Sequence, residues 1–85
     1  MDDFIRLCKT RIDNDDLIGL QEVYQEYIDE PYAWEYAYQK IYLHACLKKK
    51  KDIAEWLVSL FTIFDPIQQI ALRQMFAYGK YLLAK

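Results

Sequence analysis

Glycine and proline are scarce in this 85-residue chain, at two each. A fold of short strands joined by many tight turns needs more of both, so the scarcity argues against an all-β architecture. Cysteine is as rare. Cys8 and Cys46 stand far apart, with no Cys or His nearby at zinc-binding spacing. One bridge between them is compatible with the sequence, but two cysteines do not make a disulfide scaffold, and in a reducing compartment each reads as a small buried apolar residue. No long apolar run is present. The longest, AEWLVSLFTIF at 54–64, contains Glu55 and is too short to span a bilayer. The opening Met-Asp-Asp lacks the basic start and apolar core of a signal peptide. A surplus of one charge is missing too: 13 acids face 11 bases, for a formal net charge of −2. Nucleic-acid-binding domains are usually basic, so this balance weighs against that class. Together the absences lead us to expect a soluble intracellular protein, cytoplasmic or nuclear, that does not engage a membrane.

What is abundant is apolar and aromatic surface. Hydrophobic residues make up 54% and aromatic residues 16% of the chain, with eight Tyr and two Trp. That composition is too apolar for a disordered chain. The length allows one small domain, residues 1–85, in which each large apolar side chain counts.

The apolar spacing is helical throughout. In DDFIRLCKTRI, Phe4, Cys8 and Ile12 recur every four residues behind acids that suit a helix N-terminus. DNDD at 13–16 interrupts this helix, and Asn14 or an adjacent Asp can cap a second. The second helix carries Leu17, Leu20, Tyr24, Tyr27 and Ile28 on one face and Gln21, Glu22, Gln25 and Glu26 on the other. Asp29-Glu30-Pro31 ends it, because the residue before a proline avoids helical geometry. A third helix, roughly 32–47, has Trp34, Ala37, Ile41 and Ala45 on one stripe, with Tyr38 and Tyr42 beside it and Tyr32 and Tyr36 flanking. Asp65-Pro66 starts the last helix, with Asp as cap and Pro at the first position. Its stripe reads Ile67, Ile70, Ala71, Tyr78, Tyr81 and Leu82, with Leu72, Phe76 and Leu83 on other faces and Gly79 as a weak point.

Four consecutive lysines, Lys48, Lys49, Lys50 and Lys51, fall between the third helix and the apolar run that follows. A straight helix through them would place Lys48, Lys49 and Asp52 on the buried stripe of Ile41 and Ala45, at a heavy cost in unpaired charge. A bend removes the conflict and lets the apolar phase restart at Ile53, Trp56, Leu57, Leu60, Phe61 and Phe64. The run therefore reads as a solvated corner between two antiparallel helices, with one kinked helix as the alternative.

The stretch 45–58 adds a resemblance. Ala45-Cys46, a short turn, Asp52, Ile53-Ala54 and Trp56-Leu57-Val58 follow the helix–turn–helix pattern of an ankyrin repeat. The Trp-Leu pair looks like the diverged ankyrin-type repeats of large DNA viruses. Weaker echoes occur at 70–83 and at 7–20, the latter pairing Leu7-Cys8 with Ala45-Cys46 across a turn two residues longer. The family's turn glycine is Lys49 here. The resemblance implies stacked helix pairs that bind protein and carry no chemistry of their own, in a chain of viral type.

The expected architecture is therefore all-α: about five helices in two to three stacked antiparallel hairpins. His44 has no orienting partner visible in the sequence, so no catalytic residue is assigned. Asp13, Asp15 and Asp16 lack the pattern of a calcium loop, so neither a metal site nor a cofactor is expected. Cys46 reads as a small residue that lets two helices approach. The candidates for partner binding are Trp34, Tyr36, Tyr38 and Tyr42 on the third helix and Phe76 and Leu83 on the last, because aromatics dominate interface hot spots. The expected function is a protein-interaction or structural module that docks on another protein or on its own copy. The alternative is binding of nucleic acid or an anionic surface through Lys48–Lys51.

Overall fold

The computed structural model describes residues 2–27 and 34–85. They form five helices and no strand: α1 (Asp2–Asp13), α2 (Leu17–Tyr27), α3 (Trp34–Leu47), α4 (Lys51–Ser59) and α5 (Pro66–Ala84), with a 3-10 turn at Phe61–Ile63 before α5. The end of α2 at Asp29-Glu30-Pro31, and Tyr32, lie outside the described residues.

The lysine run is a hairpin corner, not a kink. Lys49 takes a left-handed conformation (φ 61°). Its N–H donates to the Cys46 carbonyl at 3.1 Å, and the Lys50 N–H donates to the Ala45 carbonyl at 2.9 Å. This is the Schellman arrangement, which satisfies the last carbonyls of a helix and reverses the chain. Glycine usually fills the left-handed position because a side chain there is disfavoured. With lysine there instead, the sequence marks the corner by its charges and not by a turn residue.

The corner between α1 and α2 is built the same way. Asp15 is left-handed (φ 55°). The Asp15 N–H donates to the Ile12 carbonyl and the Asp16 N–H to the Arg11 carbonyl, both at 2.9 Å. Residues 11–16 thus match residues 45–50 one for one, at an offset of 34 positions. The shared bonds align Arg11-Ile12 with Ala45-Cys46, four positions on from the echo at Leu7-Cys8, and the two turns are equal in length. Asp16 caps α2 by accepting the Gly19 N–H at 2.9 Å. Asp65 and Gln68 form a reciprocal capping box at the start of α5, at 2.9 and 3.2 Å.

α3 lies between α1 and α5, while α2 and α4 fold back on α1 and α3 respectively. The smallest dimension of the molecule, 19 Å, is that of two helix layers. Phe4, Cys8 and Ile12 of α1, Leu20 of α2, Ile53 and Leu57 of α4, and Leu72 and Met75 of α5 are buried around α3. α3 itself is buried on more than one side, at Ala37, Tyr38, Ile41, Tyr42, Ala45 and Cys46. Neighbouring helices on both flanks therefore cover aromatics that one flank alone could not.

Candidate interaction surface

The aromatic residues of α3 separate by burial. Tyr38 and Tyr42 are core residues, almost wholly inaccessible. The Tyr38 hydroxyl donates to the Leu57 carbonyl near the end of α4. Its ring packs on Phe64 at 4.9 Å between centroids, and Tyr42 packs edge-on against Phe76 at 5.1 Å. Burial pushes the phenols of Tyr38 and Tyr42 well above their usual range. The expected docking face of Tyr38 and Tyr42 is thus corrected: α5 and the end of α4 cover it. Phe76 is half-buried in the same cluster, against Tyr38, Tyr42 and Phe61. Only Tyr36 among the described α3 candidates is open, with Lys40 Nζ 5.3 Å from its ring centroid. The side chain of Trp34 lies outside the described ones.

The core side of α5 joins Leu82 to Leu72, which the sequence reading placed on different faces. Leu72, Met75, Gly79 and Leu82 face the core. Gly79 is the close-approach point: a Cβ there would lie 2.7 Å from the Tyr42 hydroxyl oxygen and 2.8 Å from ring carbon Cζ. The helix runs through Gly79 unbroken. Of the stripe read from the sequence, Leu82 is buried, while Ile67 (80%), Ile70 (64%), Tyr78 (55%) and Tyr81 (59%) are exposed. Ala71, Gln74 and Ala77 lie on that open side. The Tyr78 and Tyr81 rings stack at 6.4 Å. Leu83 sits at one edge of α5, half-buried, and lines a groove of about 300 Å³ between α4 and α5 with Lys51, Glu55, Val58 and Lys80 around a Tyr42 floor.

The four lysines do not converge on one ligand. Lys49 Nζ donates to the Leu82 carbonyl, one of the last carbonyls of α5. Lys48 and Lys50 lie close enough to Asp13 to help hold its carboxyl below the usual range; the larger cause is the His44 bond. Lys51 borders the α4–α5 groove. The basic corner of the second hairpin thus faces the acidic corner of the first.

His44 has a partner that sequence reading missed. Its Nε2 donates to Asp13 Oδ1 at 2.7 Å, beside a shallow hollow lined by Ile5, Arg6, Lys9 and Thr10. The Thr10 hydroxyl donates to the Arg6 carbonyl of its own helix. Cys8 and Cys46 are free thiols in the core. Burial pushes the Cys8 thiol up to about 12 and raises that of Cys46. Among the described residues no three His, Cys, Asp or Glu side chains gather as metal ligands, and no helix is long and apolar enough to cross a membrane.

No family model matches the chain, and neither a curated protein nor a solved structure matches it.

Proposed function

We propose that this chain is a non-catalytic protein-interaction module of stacked helical hairpins, comparable to the ankyrin-type repeats it resembles, and that it docks through the outer side of α5. The observation that carries the reading is the open apolar stripe from Ile67 to Tyr81. Isolated exposed apolar side chains are ordinary, but two isoleucines and two tyrosines on one side of a single helix, parted only by small residues and Gln74, form an apolar patch of the kind that marks interaction surfaces. Its two tyrosines offer large area at low entropic cost. The stacked-repeat part of the reading draws support from the two matched corners, whose 34-position offset lies within the usual period of repeat architectures.

The test compares partner capture by the wild type with two variants. Ile70→Glu plus Tyr78→Glu charges the stripe. Lys48→Ser plus Lys51→Ser removes basic charge while sparing Lys49, which caps α5. The expected result is loss of the partner with the first variant only, unchanged by nuclease. Loss with the lysine variant or on nuclease treatment, with the stripe variant still active, would put the function in nucleic-acid binding instead.

A further inference from the structure

We infer that the groove between α4 and α5 is the seat of an acidic, amphipathic helix supplied by a different protein. The site is separate from the outer stripe of α5 and stands independently of it.

The 34-position match of the two corners extends through the helices that flank them. Phe4, Cys8 and Ile12 of α1 correspond to Tyr38, Tyr42 and Cys46 of α3, and all six are buried. Leu20 and Val23 of α2 correspond to Ala54 and Leu57 of α4, and all four are buried. Where matched positions differ in burial, one hairpin has a neighbour that the other lacks. Leu7 is exposed, whereas its counterpart Ile41 is buried toward Phe4 and Cys8 of α1.

Tyr24 and Val58 are another such pair. Tyr24 is buried, with Trp56 of α4 edge-on against it at 5.7 Å between ring centroids. Cys8, Leu20 and Tyr24 wall a slot there, and Trp56, Leu57 and Leu60 fill it until about 10 Å³ remains. The corresponding walls are Tyr42, Ala54 and Val58, and they line an open groove of about 300 Å³. Val58 is accordingly 39% exposed. The molecule thus carries its own example of what occupies such a slot. It is a helix that presents an aromatic and two leucines at positions i, i+1 and i+4, all on one side.

Charge separates this second slot from the first. Lys51 stands where the first slot has Leu17, and Lys80 where it has Cys46. Neither lysine is in an ion pair among the described residues. Glu55 is the one acid among the described residues of the lining, so the rim keeps a surplus of positive charge. An occupant with acids beside its apolar stripe meets that rim with the opposite sign, which selects it over a basic helix. A second copy of this chain does not fit the description. Its acidic helices, α1 and α2, bury their apolar residues in its own core, and α5, whose apolar side is open, contains no acid.

The test uses the purified full chain and two stapled, fluorescently labelled helical peptides. Both repeat the Trp-Leu-x-x-Leu spacing of residues 56–60; one carries glutamate at its remaining positions and the other lysine. In anisotropy titrations the acidic peptide is expected to bind at least about tenfold more tightly than the basic one. Val58→Glu, which puts an acid on the groove wall, is expected to abolish binding. Lys51→Glu plus Lys80→Glu is expected to reverse the preference between the peptides. Ile70→Glu plus Tyr78→Glu is expected to leave binding unchanged, so the groove and the outer stripe are judged separately. All of these positions are exposed, and the circular dichroism melts of the variants are expected to match wild type. No binding of the acidic peptide up to about 1 mM overturns the inference. So does binding that Val58→Glu leaves intact, which puts the peptide elsewhere. Equal affinity for the two peptides overturns the acidic assignment. A wild-type dimer that Val58→Glu dissociates gives the groove to a second copy and overturns the assignment to a different protein.

Discussion

Asp13 and His44 meet side chain to side chain at 2.7 Å, joining the end of α1 to the last turn of α3. The contact ties the two hairpins together at their corners, where the residues around Asp13 are acidic and those after His44 are basic. The bond from His44, with Lys48 and Lys50 nearby, holds the Asp13 carboxyl below its usual range. A carboxyl lowered on folding stabilises the fold above its unfolded value, roughly 3.9, and loses that contribution as pH falls through the folded value. Wild type is therefore expected to exceed Asp13→Asn in stability near neutrality, with the gap closing below about pH 4. Urea melts at a series of pH values measure this. A gap that is the same at every pH would show that the carboxylate charge has no part in it.

The two corners allow a paired comparison. Asp15 and Lys49 occupy the same left-handed position, where glycine carries no side-chain penalty. Asp15→Gly is expected to stabilise by about 0.5–1 kcal/mol, part of the gain being lost to unfolded-chain entropy. Lys49→Gly relieves the same conformation but removes the bond to the Leu82 carbonyl. Its benefit is expected to be smaller by about 1 kcal/mol. Equal gains at both sites would mean that Lys49 contributes nothing to capping α5.

Gly79 sets the distance between α5 and α3. Alanine is the better helix former by about 1 kcal/mol, yet its Cβ would press on the Tyr42 ring. Overpacking of this kind costs about 1–3 kcal/mol, so Gly79→Ala is expected to be net destabilising. In a Tyr42→Leu background the same change is expected to be neutral or favourable. Denaturant midpoints of the four proteins in the cycle decide it.

Tyr36 and Tyr38 are two positions apart in one helix and are expected to respond very differently. Tyr38→Ala empties a buried site and should cost about 3–5 kcal/mol, by analogy with other large aromatic truncations. Tyr38→Phe keeps the ring and loses the hydroxyl's bond to the Leu57 carbonyl, about 1 kcal/mol. Tyr36→Ala is expected to stay within about 0.5 kcal/mol of wild type. Thermal melts measure all three, and a costly Tyr36→Ala would mean that this side chain is covered.

Cys8 and Cys46 are both buried, with thiols raised above their ordinary values. An aromatic disulfide reagent is expected to react slowly with the native protein and fast in denaturant, since the thiolate is the reacting species and burial also blocks access. Rapid native reaction would show that the core around α1 and α3 opens readily.

The helical elements were legible because apolar residues at three- and four-residue spacing, acids at helix starts and Asp65-Pro66 are local signals. The α3–α4 corner was legible through energetics: four lysines could not follow the buried stripe of Ile41 and Ala45. Its conformation was less so, since Lys49 fills the position that glycine usually marks. The Asp13–His44 contact was not legible, because residues 31 positions apart meet only once two hairpins pack.

The sequence by itself determined that the chain is helical, about where each helix starts, and that the lysines cannot be buried. Only the tertiary structure decided which aromatics are core and which side of α5 is open. The physical reason is that α3 and α5 are apolar on several sides. A helix with one apolar stripe declares its inner face, but on α5 both the Leu72–Met75–Gly79–Leu82 side and the Ile67–Ile70–Tyr78–Tyr81 side qualify. Packing settled the choice in favour of the side on which Gly79 lets the backbone come against the Tyr42 ring.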